Sequence, residues 1–299
     1  MAGVGAPGAG APGVLRLGRR TFGPGEIAVM AIINRTPDSF YDAGATFTDA
    51  AALAAVDRAV AQGADLVDVG GVPAGEGPEV SAAEELRRVV GFITVVRDRY
   101  RELVVSVDTW RAEVAAAACA AGADLVNDTW SGHDPDLAGV AAAYGAGLVC
   151  SHVGAMGVRA APRRPVYEDV VAEVIDHTTR LAQRAVEQGV RPDGILIDPT
   201  HDFGKNTHHS LELTRRVDEL VATGWPVLVA LSNKDFVGET LDRPKDQRLF
   251  GTLAATAWCA AAGVRVVRAH EVRATRDVVD MVATLRGDRS PVRVRRGLE

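Results

Sequence analysis

Polar and ionisable residues recur at regular places in this chain, each directly after a short apolar run. In order they are Asn34, Gly70-Gly71, Asp108, Asn127-Asp128, His152, Asp198, Lys234, and Arg268 with His270. Asp108, Asn127, Asp198 and Lys234 supply two carboxylates, an amide and a cation. Such a set can bind the edge of a flat heterocycle: carboxylates accept from an N–H/NH2 edge, and an amide both donates and accepts. Arg268 and His270 alternate, so both can face one side of an extended segment and meet an anion. The chemistry expected is a heterocycle pocket with an anion site beside it, Asn34 flanking the anion.

The elements that position these groups follow from periodicity. Eight apolar runs of strand length occur: Ile27–Ile33, Leu66–Val69, Leu103–Val107, Leu125–Val126, Leu148–Ser151, Ile195–Ile197, Val227–Leu231 and Val264–Val267. Several are continuous rather than alternating, as parallel strands covered on both faces require. Helical patterns separate them at 48–62, 81–98, 111–121, 135–144, 166–188, 208–223, 246–262 and 273–286. Ser81 to Glu84 has the spacing of a capping box, and Gly63, Gly122, Gly189, Gly263 and Gly287 stop the helices. Gly63-Ala-Asp65, Gly122-Ala-Asp124 and Gly145-Ala-Gly147 sit at helix-to-strand turns of a repeated unit. Eight strand–helix units without a break in composition specify an α/β fold, a single (β/α)8 TIM barrel over residues 21–287. An open doubly wound sheet would need a second domain. Barrel chemistry gathers at the C-terminal strand ends, where the polar residues stand, and phosphate commonly sits after the last strands. Residues 1–20 are expected as a flexible Gly/Ala/Pro-rich leader and 288–299 as a solvated basic tail.

Composition closes off other classes. The 299 residues carry a formal charge of −6, which argues against a nucleic-acid partner. Mean hydropathy is +0.05 and no uncharged apolar run reaches the ~18 residues of a membrane span. Three scattered cysteines fit neither a disulfide framework nor a zinc pattern, so a reduced, cytoplasmic setting is expected. His208-His209 lack a partner at metal-ligand spacing. Ser106, His152 and Asp108 could form a triad on paper, but no G-x-S-x-G elbow accompanies them. The glycines from Gly70 to Gly77 lack dinucleotide spacing and read as a mobile loop.

The motifs, taken in order, resemble those of the dihydropteroate synthase family. They are Asn34-Arg-Thr-Pro-Asp-Ser-Phe40, Asp68-Val-Gly-Gly71, Ser106-Val-Asp-Thr109, Asn127-Asp128, Asp198-Pro199 with Phe203-Gly-Lys205, Ser232-Asn-Lys-Asp-Phe236 and Arg268-Ala-His270. The resemblance spans about residues 27 to 285. It implies a pterin-binding barrel, usually a homodimer, that joins 6-hydroxymethyl-7,8-dihydropterin diphosphate to p-aminobenzoate and releases pyrophosphate in the folate pathway. By resemblance, Asp108, Asn127, Asp198 and Lys234 contact the pterin. Arg268 and His270 hold the diphosphate, and Asn34 helps hold Mg2+-pyrophosphate as the metal contact. Asp108, Lys234 and Arg268 carry the chemistry: diphosphate leaves first, and Asp108 stabilises the cation left on the pterin methylene.

The departures cluster in the p-aminobenzoate half. The family's second loop, roughly GGESTRPG, is here Gly70-Gly-Val-Pro-Ala-Gly-Glu-Gly77, so its Thr becomes Ala74 and its Arg becomes Gly75. The Ser expected to meet the p-aminobenzoate carboxylate is Asp235. Thr200-His201-Asp202 replaces small or apolar residues, and Arg35 replaces an apolar one. The altered second-substrate pocket is therefore expected to comprise Arg35, Gly75, Asp202, Phe203 and Asp235, with Arg35 as a cation that could compensate. A divergent paralogue follows. Its alternatives are a non-catalytic protein with a binding or regulatory role, or a transferase for another second substrate. A pterin-domain methyltransferase lacks support, because no corrinoid module adjoins.

Overall fold

The computed structural model describes residues 13–36, 49–75, 77–159 and 165–296. Residues 1–12 of the expected leader, Pro37–Phe40 of the first motif, Glu76 and residues 297–299 of the tail lie outside the described residues. A hairpin of β1 (Leu15–Leu17) and β2 (Arg20–Phe22) comes first among the described residues. Strand–helix units follow: β3 (Ala28–Asn34) and α1 (Asp49–Ala61); β4 (Leu66–Gly70) and α2 (Ala82–Arg99); β5 (Val104–Asp108) and α3 (Ala112–Ala120); β6 (Leu125–Asp128) and α4 (Leu137–Tyr144); β7 (Gly147–Ser151) and α5 (Val170–Glu187); β8 (Ile195–Asp198) with α6 (Thr207–Arg215) and α7 (Val217–Val221); β9 (Leu228–Ala230) with α8 (Asp235–Leu241) and α9 (Leu249–Ala262); and β10 (Val266–Ala269) with α10 (Val272–Arg286).

Strands β3 to β10 pair in parallel in the order β8-β7-β6-β5-β4-β3-β10-β9, and a bridge between Ile197 and Val227 joins the two edges into the expected (β/α)8 barrel. Side chains on a strand alternate in direction, so each barrel strand serves two cores. The outer core lies between strands and helices and contains Val67, Val69, Val105, Val107, Val126, Ile195 and Ile197. The inner core is a plug of Ala28, Met30, Leu66, Val104, Leu125, Val149, Leu196, Leu228 and Val266 at the N-terminal end of the barrel.

The expectation of a leader through residue 20 is corrected here. Leu15, Leu17 and Phe22 of the hairpin belong to the inner plug, and Leu15 and Leu17 are fully buried. Arg265 fastens this floor, donating to the carbonyls of Glu26, Gly13, Phe22 and Gly23 at 3.1, 2.6, 3.1 and 2.6 Å. A guanidinium with five donors in a rigid fork suits such a many-carbonyl junction. The expected helix over 208–223 is broken at Arg216 into α6 and α7, and α8 is a helix the pattern did not announce.

The repeated Gly-Ala-Asp turns have one physical task. Asp65 Oδ2 accepts from the Val29 N–H and Asp124 Oδ2 from the Val105 N–H, both at 3.0 Å, so each carboxylate satisfies the foot of a neighbouring strand. Arg276 and Arg20 pair with Asp65, and Arg97 pairs with Asp124. The third turn ends in Gly147, where a Cβ would fall 2.5 Å from the Gly194 carbonyl oxygen. Ser81 caps α2 through the Glu84 N–H at 3.2 Å, but Glu84 turns to Arg87 and Arg88 instead of completing the box.

Candidate functional site

Above the apolar plug, the inward positions of the same strands become polar. Leu66 is followed two residues on by Asp68, Val104 by Ser106 and then Asp108, Leu125 by Asn127, Leu196 by Asp198, and Val266 by Arg268. The plug excludes water from below, and this ring forms the bottom of the mouth.

Arg268 is its hub. Its Nε lies 2.7 Å from Asp68 Oδ2 and its Nη2 3.0 Å from Asp108 Oδ2. Asp68 is wholly buried and also accepts from Ser106 Oγ at 2.5 Å and Asn127 Nδ2 at 3.0 Å. Asp108 accepts from Thr129 Oγ1 at 3.0 Å. Burial and the nearby Asp68 push the Asp108 carboxyl above its ordinary range, against the pull of Arg268. Burial alone would lower Arg268, but Asp68 and Asp108 outweigh it and raise its pKa.

Asp198 stands at the end of β8, buried, with Oδ1 accepting the Thr200 N–H at 2.7 Å. Burial raises it to about 6, with the Thr200 N–H and Lys234 opposing. Lys234 Nζ donates to the His201 carbonyl at 2.8 Å and sits 4.2 Å from the Phe203 ring centre. Its pKa is lowered by burial, with Asp202 and then Asp198 opposing. Lys205 lies deeper, donating to the carbonyls of His152, Phe203 and Thr200 at 2.7, 3.0 and 3.3 Å, and burial lowers it to about 7.

His270 and Arg268 are the pair expected to meet an anion. His270 Nδ1 is 3.0 Å from Ser232 Oγ, and Arg268 faces the two carboxylates. A methyl group on Gly70 would sit 3.6 Å from Asp108 Cβ and 3.9 Å from Asn34 Oδ1, so these two side chains flank one bare stretch of backbone.

The residues expected at a second-substrate pocket divide. Asp202, Phe203, Lys234 and Asp235 come together: Asp202 Oδ2 accepts the N–H groups of Asp235 and Phe236 at 2.7 and 3.4 Å. Asp235 Oδ1 accepts from Arg248 at 2.7 Å. Gly75 is exposed, and its carbonyl accepts from Arg159 Nε at 3.1 Å. Arg35 departs from the expectation. Its guanidinium packs 4.7 Å over Phe92, pairs with Asp49 and donates to the Arg88 carbonyl at 3.2 Å, which holds it against α1 and α2.

His152 follows β7 with the outward parity and packs on α5, its ring centre 5.3 Å from that of His177. Burial lowers it to about 3, so it stays neutral. Ser106 donates to Asp68 and serves no triad. His209 closes the α6 capping box with Asn206. Among the described residues no group of three His, Cys, Asp or Glu side chains could hold a metal. Asp68, Ser106 and Lys205 stood inside the quoted motifs with no role assigned in the mouth, and Arg248 was not singled out. The first two sit inside strands, where only the alternation Leu66-Asp68-Gly70 and Val104-Ser106-Asp108 marks them.

Residues 30–270 match the sequence family described as pterin binding enzyme. Over 274 residues the chain is 61% identical to inactive dihydropteroate synthase 2 of Mycobacterium leprae, covering 90% of this chain and 94% of that one. A Yersinia pestis dihydropteroate synthase with a sulfonamide drug complex superposes with a TM-score of 0.86 at 32% identity, covering 92% of this chain and all of that one. The Xanthomonas albilineans dihydropteroate synthase with 4-aminobenzoic acid gives 0.83 at 35% identity, covering 93% and 99%.

Proposed function

The chain belongs to the pterin binding enzyme family, and from that premise we propose that it binds a pterin diphosphate at the barrel mouth without condensing it efficiently with p-aminobenzoate. It is a dihydropteroate synthase-like protein of the folate pathway, and the non-catalytic reading is the one its site favours. The observation that carries this is the contrast between the two halves. Asp108 and Asn127 are tied to Arg268 directly or through Asp68, with Asp198 and Lys234 within its electrostatic reach, while the donors beside Phe203 are already engaged by Asp202 and Asp235. Arg35, the cation that could have compensated, is stacked on Phe92. The 61% identity to a relative named inactive points the same way.

In this reading Asp198 and Asn127 take the heterocycle edge, and Lys234 and Asp108 border its reactive side. Arg268 must turn from its carboxylates toward the diphosphate, with His270 beside it. The site suits Mg2+ arriving with the substrate: Asn34 Oδ1 is a hard, neutral oxygen at the anion side, and magnesium is commonly held by few protein oxygens plus phosphates. Such an ion would neutralise charge on the leaving group. Pyrophosphate release from the pterin diphosphate, with and without p-aminobenzoate, tests the reading. The expected p-aminobenzoate-dependent rate is at least ~10²-fold below that of a relative with the Arg-bearing loop, the usual loss for one positioned charged contact. Release at the relative's rate would overturn it.

We further propose a homodimer through α9 and α10. Helix α9 has no charged residue, yet Phe250 is 83% and Trp258 58% exposed, two turns apart on one face. Met281 and Leu285 of the adjoining α10 extend the apolar surface. Contiguous exposed apolar area of this kind marks association sites. In sedimentation, Trp258→Glu is expected to turn a dimer into a monomer; a parent that is monomeric at micromolar concentration removes the proposal. No helix among the described residues is long and apolar enough to cross a membrane. A cytoplasmic location belongs to the same proposal, supported by three free, buried cysteines.

A further inference from the structure

We infer that Asp202 sets the charge of whatever docks against Phe203 and Lys234, and that this seat takes a neutral aromatic amine in place of an anionic one. The inference rests on the reading above that a pterin diphosphate binds at the barrel mouth, beside the altered second-substrate pocket.

The seat is built for a flat ring. Phe203 is part-exposed, Trp130 meets it edge-on at a centroid distance of 5.7 Å, and Lys234 Nζ lies over its ring 4.2 Å from the centre. A carboxylate on such a ring would need donors at its rim, and the backbone N–H groups there already have an acceptor within the chain. The N–H groups of Asp235 and Phe236 point at Asp202 Oδ2. Arg248 Nη1 is shared between Asp235 Oδ1 and the Asn233 carbonyl, at 2.7 and 2.9 Å. Lys234 Nζ is on the His201 carbonyl. Asp202 thus supplies internally the negative charge that a bound carboxylate would have brought.

The backbone is committed to this arrangement. Thr200 and Asp202 have φ of +52° and +69°, the left-handed region that side chains other than glycine rarely adopt, and least readily a β-branched one. Such conformations persist where the surroundings over-determine them. Here Ser210 Oγ donates to Asp202 Oδ1 at 3.0 Å while Oδ2 holds the start of α8, so the carboxylate has both oxygens fixed. An incoming anion meets like charge from Asp202 and Asp235. An incoming carboxamide offers N–H donors to the outer lone pairs of the Asp202 and Asp235 carboxylates and keeps the contact with Phe203.

The test is calorimetric titration with p-aminobenzamide and p-aminobenzoate, run on the protein alone and on protein loaded with unreactive 6-hydroxymethylpterin and pyrophosphate. The amide is expected to bind at least about tenfold tighter than the acid, a difference of one properly paired polar group. Asp202→Gly accepts the left-handed backbone without strain, and Asp202→Asn keeps the shape without the charge. In both, the preference is expected to fall to within about twofold. The proposal is overturned by a parent that binds the acid as well as the amide, by a preference that survives both substitutions, or by binding of neither compound. Failure of the pterin itself to bind sinks the preceding reading. The amide-to-acid ratio on the unloaded protein then still decides the role of Asp202.

Discussion

Asp198→Asn is expected to weaken pterin binding about 30- to 150-fold, because a hydrogen bond to a charged group contributes roughly 2–3 kcal/mol and the amide cannot accept from both donors of the edge. The same substitution is expected to stabilise the unliganded protein. Burial holds the Asp198 carboxyl near pH 6, well above the ordinary carboxylate range. A raised folded-state pKa means that the native state binds more protons than the unfolded chain, so this group costs stability as pH rises from about 4 to 6. The full cost at neutral pH is up to about 3 kcal/mol, at 1.36 kcal/mol per unit. Melting curves should therefore show the variant ahead of the parent at pH 7.5 and level with it near pH 4. Parent affinity for the pterin should climb with pH through about 6, and the variant should lose that dependence. Equal pterin affinity in calorimetry would mean that Asp198 does not hold the ligand.

Arg268→Met is expected to be the most damaging substitution in the mouth. It leaves Asp68 and Asp108 facing one another without the cation that lies 2.7 and 3.0 Å from them. Removing one partner from a buried ionic group costs about 3–5 kcal/mol. At neutral pH that lowers the melting point by roughly 5–8 °C for a chain of this size. Losing Arg268 raises the Asp108 carboxyl further, so the deficit should shrink as pH falls and the carboxyl takes up a proton. Diphosphate affinity should be lost at every pH. A variant that melts with the parent at pH 8 would show that the carboxylates are neutralised by other means.

Much of the barrel was legible because its units repeat. Eight apolar runs and the glycines that end the helices specify where the chain turns, and Asp65 and Asp124 repeat the same bond at the foot of a strand. The polar ring of the barrel mouth was legible for the same reason, since Asn34, Asp108, Asn127 and Asp198 stand at strand ends. Asp68 opens one of the motifs, but its part in holding Arg268 was hidden inside an apolar strand, where its inward parity alone points to the mouth. The hairpin was hidden because Leu15 and Leu17 are two apolar residues in a Gly/Ala/Pro-rich stretch, and what buries them is the floor of a barrel built from residues far along the chain. Arg35 misled for a related reason. A cation beside a loop reads as available, and only the packing of Phe92 and the Arg88 carbonyl shows where it goes.

The junction at Arg265 has a consequence for how the protein is made. It joins residues 239 to 252 positions apart, the first described residues to the foot of the last strand. A ribosome adding roughly 5–20 residues per second takes about 10–50 s to cover that distance. Through that interval Leu15, Leu17 and Phe22 have emerged while the strands that will roof them are still being added. Synthesis that stops short of Arg265 leaves these three side chains without their clamp, a product that chaperones and proteases are suited to recognise.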